Sequence, residues 1–251
     1  MNEQTGTTES TTSNERTRRG FLRGLAGTLA LAGFGQAFGQ DRASTAALDH
    51  AAVLDLAATA EALAVTLYHQ VLTTATFRVD EDTAEHLRAV LGAEAHHLQL
   101  LQNLGATPLA SRFHLPLGLL TDAGVFVDTA LHLETVFTGA YLAATHQFAE
   151  RGQPGLAATV AQLGASEAQH LTLLSQLAGL GPDDLTLPAA SFRRVADAGP
   201  TLAPFLRGGR GSPGPVTLPR AEQLRLVLGQ RAATPGRPFA QAYAPSSRRP
   251  G

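Results

Sequence analysis

The sequence contains no cysteine and no lysine, and only 16% of its residues are charged. The absence of cysteine excludes disulfide bonds, thiolate nucleophiles, iron–sulfur clusters and rubredoxin-type iron sites, which leaves oxygen and nitrogen atoms as metal ligands. All 19 basic residues are arginine, a pattern that we interpret as coding bias. Because the formal net charge is only -2, charge gives no reason to expect nucleic acid or an acidic partner.

The N-terminal region reads as an export signal. Residues 1–15 are polar without an apolar period, which predicts disorder. The segment Thr17 to Arg23, with its pair Arg18 and Arg19 and the mild apolar run that follows, resembles a twin-arginine signal rather than a disordered basic tail. The run is too short for a membrane span, which takes roughly 20 strongly apolar residues. We predict a signal peptide at 1–39, cleaved after Gly39, and export to the periplasm or cell envelope.

The next part of the chain, residues 46–181, has the apolar periodicity of an all-α four-helix bundle. The helices are predicted at about 46–75, 80–105, 121–151 and 153–181, with acids or proline at three of the starts. A connection from Ala106 to about Leu120 carries two prolines, and its length suits a crossover that spans the whole bundle. The first helix should bury Leu48, Leu54, Ala58, Val65 and Leu72.

Two Glu-x-x-His motifs and two single glutamates lie at the centres of the apolar stripes. On a helix, a glutamate three residues before a histidine shares one face with it, which is a metal-ligand spacing. Each of the four glutamates also has an apolar or aromatic residue seven positions to either side, so all four should face the core. The set is Glu61, Glu94, His97, Glu134, Glu167 and His170.

These residues repeat with an offset of 73 positions, which relates Glu61 to Glu134 and Glu94 to Glu167. The same offset relates the two histidines, the tyrosines Tyr68 and Tyr141, and the aspartates Asp55 and Asp128. Two helical hairpins around a pseudo-twofold dinuclear site would produce such a repeat.

Four core-facing carboxylates require compensation, because a buried unpaired carboxylate is costly and four together repel one another. Two divalent cations would cancel four negative charges, and two neutral imidazoles would complete the shell. This is the di-iron or di-manganese carboxylate pattern of four-helix bundles, and the ligand set suits either metal. The competing interpretation is a bundle without metal, whose polar centre is held by hydrogen bonds and partial protonation.

Other polar residues have less specific roles. Tyr68 and Tyr141 can hydrogen-bond to the metal ligands or simply pack in the core, and the sequence does not decide between these roles. Asp55 and Asp128 lie about 120° from the glutamate stripe, so solvated or hairpin-contact roles are expected. Surface or ligand-supporting positions are expected for the remaining helical histidines, His69, His96, His132 and His146.

From Pro182 to Gly251 the chain is rich in Pro, Gly, Ser and Arg, which predicts an irregular, partly disordered extension. The stretch Leu218 to Leu228 has the length and apolar content of one short helix, and disorder is predicted from Thr234 onward. The apolar residues predicted to lie on the bundle are Phe192, Val195, Leu202 and Phe205.

The residues from about Leu48 to Gly181 resemble the ferritin-like superfamily, and within it exported bacterial ferritin-like domain proteins of the desiccation-related type. The resemblance rests on Glu61 with Tyr68, Glu134 with Tyr141, and the two Glu-x-x-His motifs. It implies a bound pair of iron or manganese ions with ferroxidase, peroxidase or oxygenase chemistry. Two departures argue against rubrerythrin-like turnover and cage storage: the chain has no cysteine module as electron donor, and its Pro-rich tail does not resemble the helix that seals ferritin cages.

Two classes of function follow. The first is a redox enzyme that oxidises ferrous ions or removes peroxide, with metal ions, peroxide or dioxygen as partners. The second is a non-catalytic, metal-binding or structural stress protein on the same fold. In both, we expect a monomer or small homo-oligomer and no membrane span after signal removal.

Overall fold

The computed structural model describes residues 50–180, 186–209, 212–229 and 236–239. The predicted signal peptide and residues 46–49 of the predicted first helix lie outside this part. The elements are α1 (His50–Thr74), α2 (Glu81–Asn103), β1 (Arg112–Phe113), α3 (Ala123–Glu150), α4 (Pro154–Leu177), a 3-10 helix (Val195–Ala198), α5 (Gly199–Arg207), β2 (Val216–Thr217) and α6 (Ala221–Leu228).

Helices α1 to α4 form a four-helix bundle, which confirms the predicted fold class. α1 packs along α2 and α3 along α4 as two hairpins, and α1 also contacts α3 while α2 contacts α4. Burying one leucine side chain contributes about 1.5–3 kcal/mol, so the apolar stripes supply most of the stabilisation of the bundle. The leucines with almost no exposed surface in these helices are Leu63, Leu67, Leu87, Leu91, Leu101, Leu133 and Leu174.

The helix starts have the local chemistry that the sequence predicts. Asp80 caps α2 by accepting a hydrogen bond from the Thr83 backbone N–H at 2.8 Å, and Asp122 caps α3 in the same way. Such a cap stabilises a helix by about 1 kcal/mol. α2 ends two residues before the predicted Gly105, whose φ of 96° breaks the helix.

Helix α1 is the most enclosed element of the bundle. Among the described residues it is the one helix long and apolar enough to cross a membrane, but 83% of that apolar stretch is buried inside the protein. Its composition is therefore explained by its position in the core. Of the predicted core positions, Leu54, Ala58 and Val65 are buried and Leu72 is half-buried.

The crossover between α2 and α3 and the C-terminal extension hold each other against the bundle. β1 pairs antiparallel with β2, and the His114 N–H donates to the Phe205 carbonyl at 2.7 Å. As predicted, Val195, Leu202 and Phe205 are buried, while Phe192 is half-buried and the short helix is α6. The predicted disorder from Thr234 falls largely outside the described residues.

Candidate metal centre

The six predicted ligand residues meet at the centre of the bundle. α1 and α3 each supply one glutamate, and α2 and α4 each supply one Glu-x-x-His motif. Each glutamate is at most 1% exposed, and each histidine is 7% exposed. The register of the two hairpins therefore places all six side chains in one buried cluster.

The first half of the cluster is centred on His97. Its Nδ1 atom lies 3.1 Å from Glu167 Oε1, 3.3 Å from Glu94 Oε2 and 3.5 Å from Glu61 Oε2. Three carboxylates from three different helices thus surround one imidazole nitrogen.

The second half has the same arrangement around His170. Its Nδ1 atom lies 2.9 Å from Glu94 Oε1, 3.2 Å from Glu167 Oε2 and 3.9 Å from Glu134 Oε2. Glu94 and Glu167 therefore belong to both halves, each offering a different oxygen to each side. The two imidazole rings are nearly parallel, with centroids 6.0 Å apart.

Two four-residue groups in this cluster have geometry that can hold a metal ion. The candidate ligand atoms within each group all lie within 4.8 Å of one another. A small divalent cation bonds oxygen and nitrogen at about 2.0–2.2 Å, which places opposite ligands about 4.2 Å apart, so little adjustment is needed. The groups are Glu61, Glu94, His97 and Glu167, and Glu94, Glu134, Glu167 and His170.

The polar atoms of the cluster lack the partners that buried polar atoms normally have. Both oxygens of Glu94 and one oxygen of each other glutamate make no hydrogen bond, and the same holds for His97 Nδ1. These atoms lie close together but without hydrogen-bond geometry. They therefore point toward common positions between them rather than at one another. Because an unsatisfied buried acceptor is costly, the residues fit a pair of cations.

Without metal, protons balance the charge of the cluster. Burial and the nearby charge of Glu94 raise the pKa of Glu61 to about 8, and burial likewise raises the pKa of Glu134. Burial and the charge of Glu167 also raise the pKa of Glu94, but the histidines outweigh both, so that the pKa of Glu94 is lowered overall. Burial lowers the pKa of His170, but Glu94 and Glu167 raise it to about 11.

The raised pKa values of Glu61, Glu134 and the two histidines mean that protons offset carboxylate charge when no metal is bound. Two divalent cations would offset the charge of four carboxylates and leave the two imidazoles neutral. Metal binding must therefore displace protons, so that affinity increases with pH.

The two tyrosines cross between the hairpins to contact the cluster. The Tyr68 hydroxyl on α1 donates to Glu134 Oε1 on α3 at 2.5 Å, and the Tyr141 hydroxyl on α3 donates to Glu61 Oε1 on α1. Each tyrosine thus binds one carboxylate oxygen of the glutamate on the opposite helix. The other oxygen of that glutamate faces the centre. Gly164 on α4 makes room for this arrangement, because a Cβ atom there would lie 3.0 Å from Tyr141 Cβ.

The remaining predicted residues lie apart from the cluster. His146 is exposed and pairs with Glu150, and His96 and His132 are half-buried. Of the two positions expected for His69, surface or ligand-supporting, the structure excludes the surface: His69 is 7% exposed because α1 is enclosed on almost every side. Asp55 is a structural contact, since Oδ1 accepts the Thr107 N–H at 2.7 Å at the start of the crossover, whereas Asp128 is half-exposed.

Comparison with known families agrees with this geometry. A family model described as a ferritin-like domain matches residues 49–180. No curated protein and no solved structure matches the chain. The matched region contains all six cluster residues and both tyrosines.

Proposed function

This chain belongs to the ferritin-like domain family, and we propose that its centre holds two iron or manganese ions and oxidises ferrous ions with peroxide. The observation that carries the proposal is the sharing of Glu94 and Glu167 between two four-ligand groups. Shared carboxylates would hold two cations side by side, as two-metal catalytic sites require. The purely oxygen and nitrogen donor set suits iron or manganese.

Each group of residues has a distinct role in this proposal. Glu94 and Glu167 would contribute to holding both ions, while Glu61 with His97 and Glu134 with His170 would each hold one ion. Tyr68 and Tyr141 orient the two terminal glutamates through their hydroxyl hydrogen bonds. The apolar residues around the cluster exclude bulk water, so that the ligand charges act in a low dielectric.

When bound, the metal pair would supply redox chemistry in which each ion gains or loses one electron. Peroxide needs two electrons and two protons to break its O–O bond and form two waters. Two ferrous ions supply the electrons and leave as ferric ions, which balances the reaction. The two protons come from solvent water, because metal binding displaces those of the cluster.

Stopped-flow absorbance of ferric product, after anaerobic mixing with ferrous salt and peroxide, tests the activity. Removing a metal ligand should reduce activity at least as much as removing a residue that hydrogen-bonds to a ligand. We therefore expect Glu94→Ala to be slower by about 10–100-fold. Asp128→Asn, a carboxylate change outside the cluster, should leave the rate unchanged. Equal rates for wild type and Glu94→Ala would rule out the enzymatic proposal and favour a metal-binding or structural role.

We further propose that the protein is a monomer or small oligomer and no storage cage. Within the described residues, Leu142 is the one large apolar side chain exposed on α1 to α4, whereas permanent assemblies bury extensive apolar faces. The mass of the particle in the same stopped-flow sample checks this, and a 24-subunit particle would contradict it.

We also propose that the chain is exported in folded form through its twin-arginine segment, which lies outside the described residues. Folding before export allows the metal to be loaded inside the cell. Replacing Arg18 and Arg19 by lysine should cause a precursor that retains residues 1–39 to accumulate, whereas Arg16→Lys should not. Immunoblots of cell fractions measure this, and normal processing of the doubly substituted chain would contradict the proposal.

A further inference from the structure

A cavity of about 230 Å³ lies beside the cluster, between α2, α4 and residues 236–238. It is large enough for several waters at about 30 Å³ each. Its wall combines apolar side chains, including Leu100 and Leu163, with polar ones, including His96 and Ser166. His97 also lines it whereas His170 does not, although both rings are equally buried. The cavity therefore reaches one half of the cluster.

Residues 236–238 cover this cavity because one side chain of α4 holds them there. Gln162 Nε2 donates to the Arg237 carbonyl at 3.3 Å, and Gln162 Oε1 accepts the Phe239 N–H at 2.8 Å. Gln162 is itself exposed. Each such bond contributes only about 0.5–1.5 kcal/mol, so loss of the Gln162 side chain should make opening of the segment easier.

The covering segment also carries charge. Arg237 is exposed and lines the cavity, and it makes no ion pair with another described residue. A guanidinium at this position repels cations and attracts anions.

We propose that this cavity is the route by which small neutral or anionic solutes reach the His97 side of the centre, and that residues 236–238, held by Gln162, are its lid. The size of the cavity limits the solute to a few non-hydrogen atoms, which includes peroxide and azide. The inference that peroxide is among the solutes rests on the proposed function. The inference that residues 236–238 form a lid does not.

Deuterium exchange at the ring C2–H of His97 in the metal-free protein, measured by peptide mass spectrometry as a ratio to His170, tests the lid, because water is small enough for the cavity and the exchange proceeds through the imidazolium form. Gln162→Ala removes two hydrogen bonds and should raise the ratio at least about fivefold, the equivalent of one of them at about 1 kcal/mol. Ser166→Leu, which fills the cavity, should lower the ratio below that of wild type. Gln176→Ala is the matched control, because Gln176 is an exposed glutamine on the same helix, and it should change nothing. An unchanged ratio in Gln162→Ala, or a rise that Gln176→Ala matches, would overturn the lid.

The selectivity is tested by azide association with the ferric-loaded protein, followed by its absorbance. Arg237→Gln should slow association roughly threefold at low ionic strength, and an equal or faster rate would overturn the anion preference. If the protein takes up no metal at all, the proposed function fails, while the histidine labelling still decides whether the lid exists.

Discussion

The double variant Glu94→Ala/Glu167→Ala is expected to bind no metal at the centre, where we expect the wild-type chain to bind about two ions. The reason is geometric: these two glutamates belong to both candidate groups, so that each ion would lose two of its four protein ligands. Glu61→Ala removes a ligand from one group only, and we expect it to retain about one ion. Elemental analysis after anaerobic reconstitution with ferrous or manganous salt measures the content.

The matched control for this experiment is Asp55→Asn/Asp128→Asn. These aspartates are related by the same 73-residue repeat and lie on α1 and α3, but neither belongs to the metal-binding groups. The control should bind as much metal as wild type. Full metal content in the Glu94/Glu167 variant would show that the ions bind elsewhere.

Metal loading is expected to raise the melting temperature of the protein by about 10–20 °C. A ligand that binds only the native state at 100 times its dissociation constant adds about 2.7 kcal/mol, so that two ions bound at this level add about 5 kcal/mol. For a protein of this size, each kcal/mol corresponds to about 2–4 °C. The physical source is the replacement of trapped protons by cations among four carboxylates that are at most 1% exposed.

Differential scanning calorimetry with and without manganous ions measures the shift, and a chelator should reverse it. The Glu94→Ala/Glu167→Ala variant should show almost no shift, whereas the aspartate control should show the full one. An equal shift in the glutamate variant would indicate that metal stabilises the protein through another site.

The sequence predicts the bundle and its central residues well because both depend on short-range periodicity. A glutamate three residues before a histidine must share a helix face with it, and flanking apolar residues at seven positions identify that face as buried. The helix starts at Asp80, Asp122 and Pro154 likewise follow from local capping chemistry.

The contacts between distant parts of the chain could not be predicted in this way. Periodicity places Tyr68 on the buried face of its own helix, but the identity of its partner, Glu134, depends on how α1 and α3 pack. The pairing of Arg112–Phe113 with Val216–Thr217 and the role of Gln162 join segments with no shared motif. His69 is buried for a similar reason, since the extent to which α1 is enclosed is set by its neighbours.

Anomalous X-ray diffraction from crystals of iron- or manganese-loaded protein tests the dinuclear centre most directly. We predict two peaks about 3.5–4 Å apart, one among Glu61, Glu94, His97 and Glu167 and the other among Glu94, Glu134, Glu167 and His170. A fully loaded crystal with no peak inside the bundle, or with peaks only at surface residues, would contradict the account.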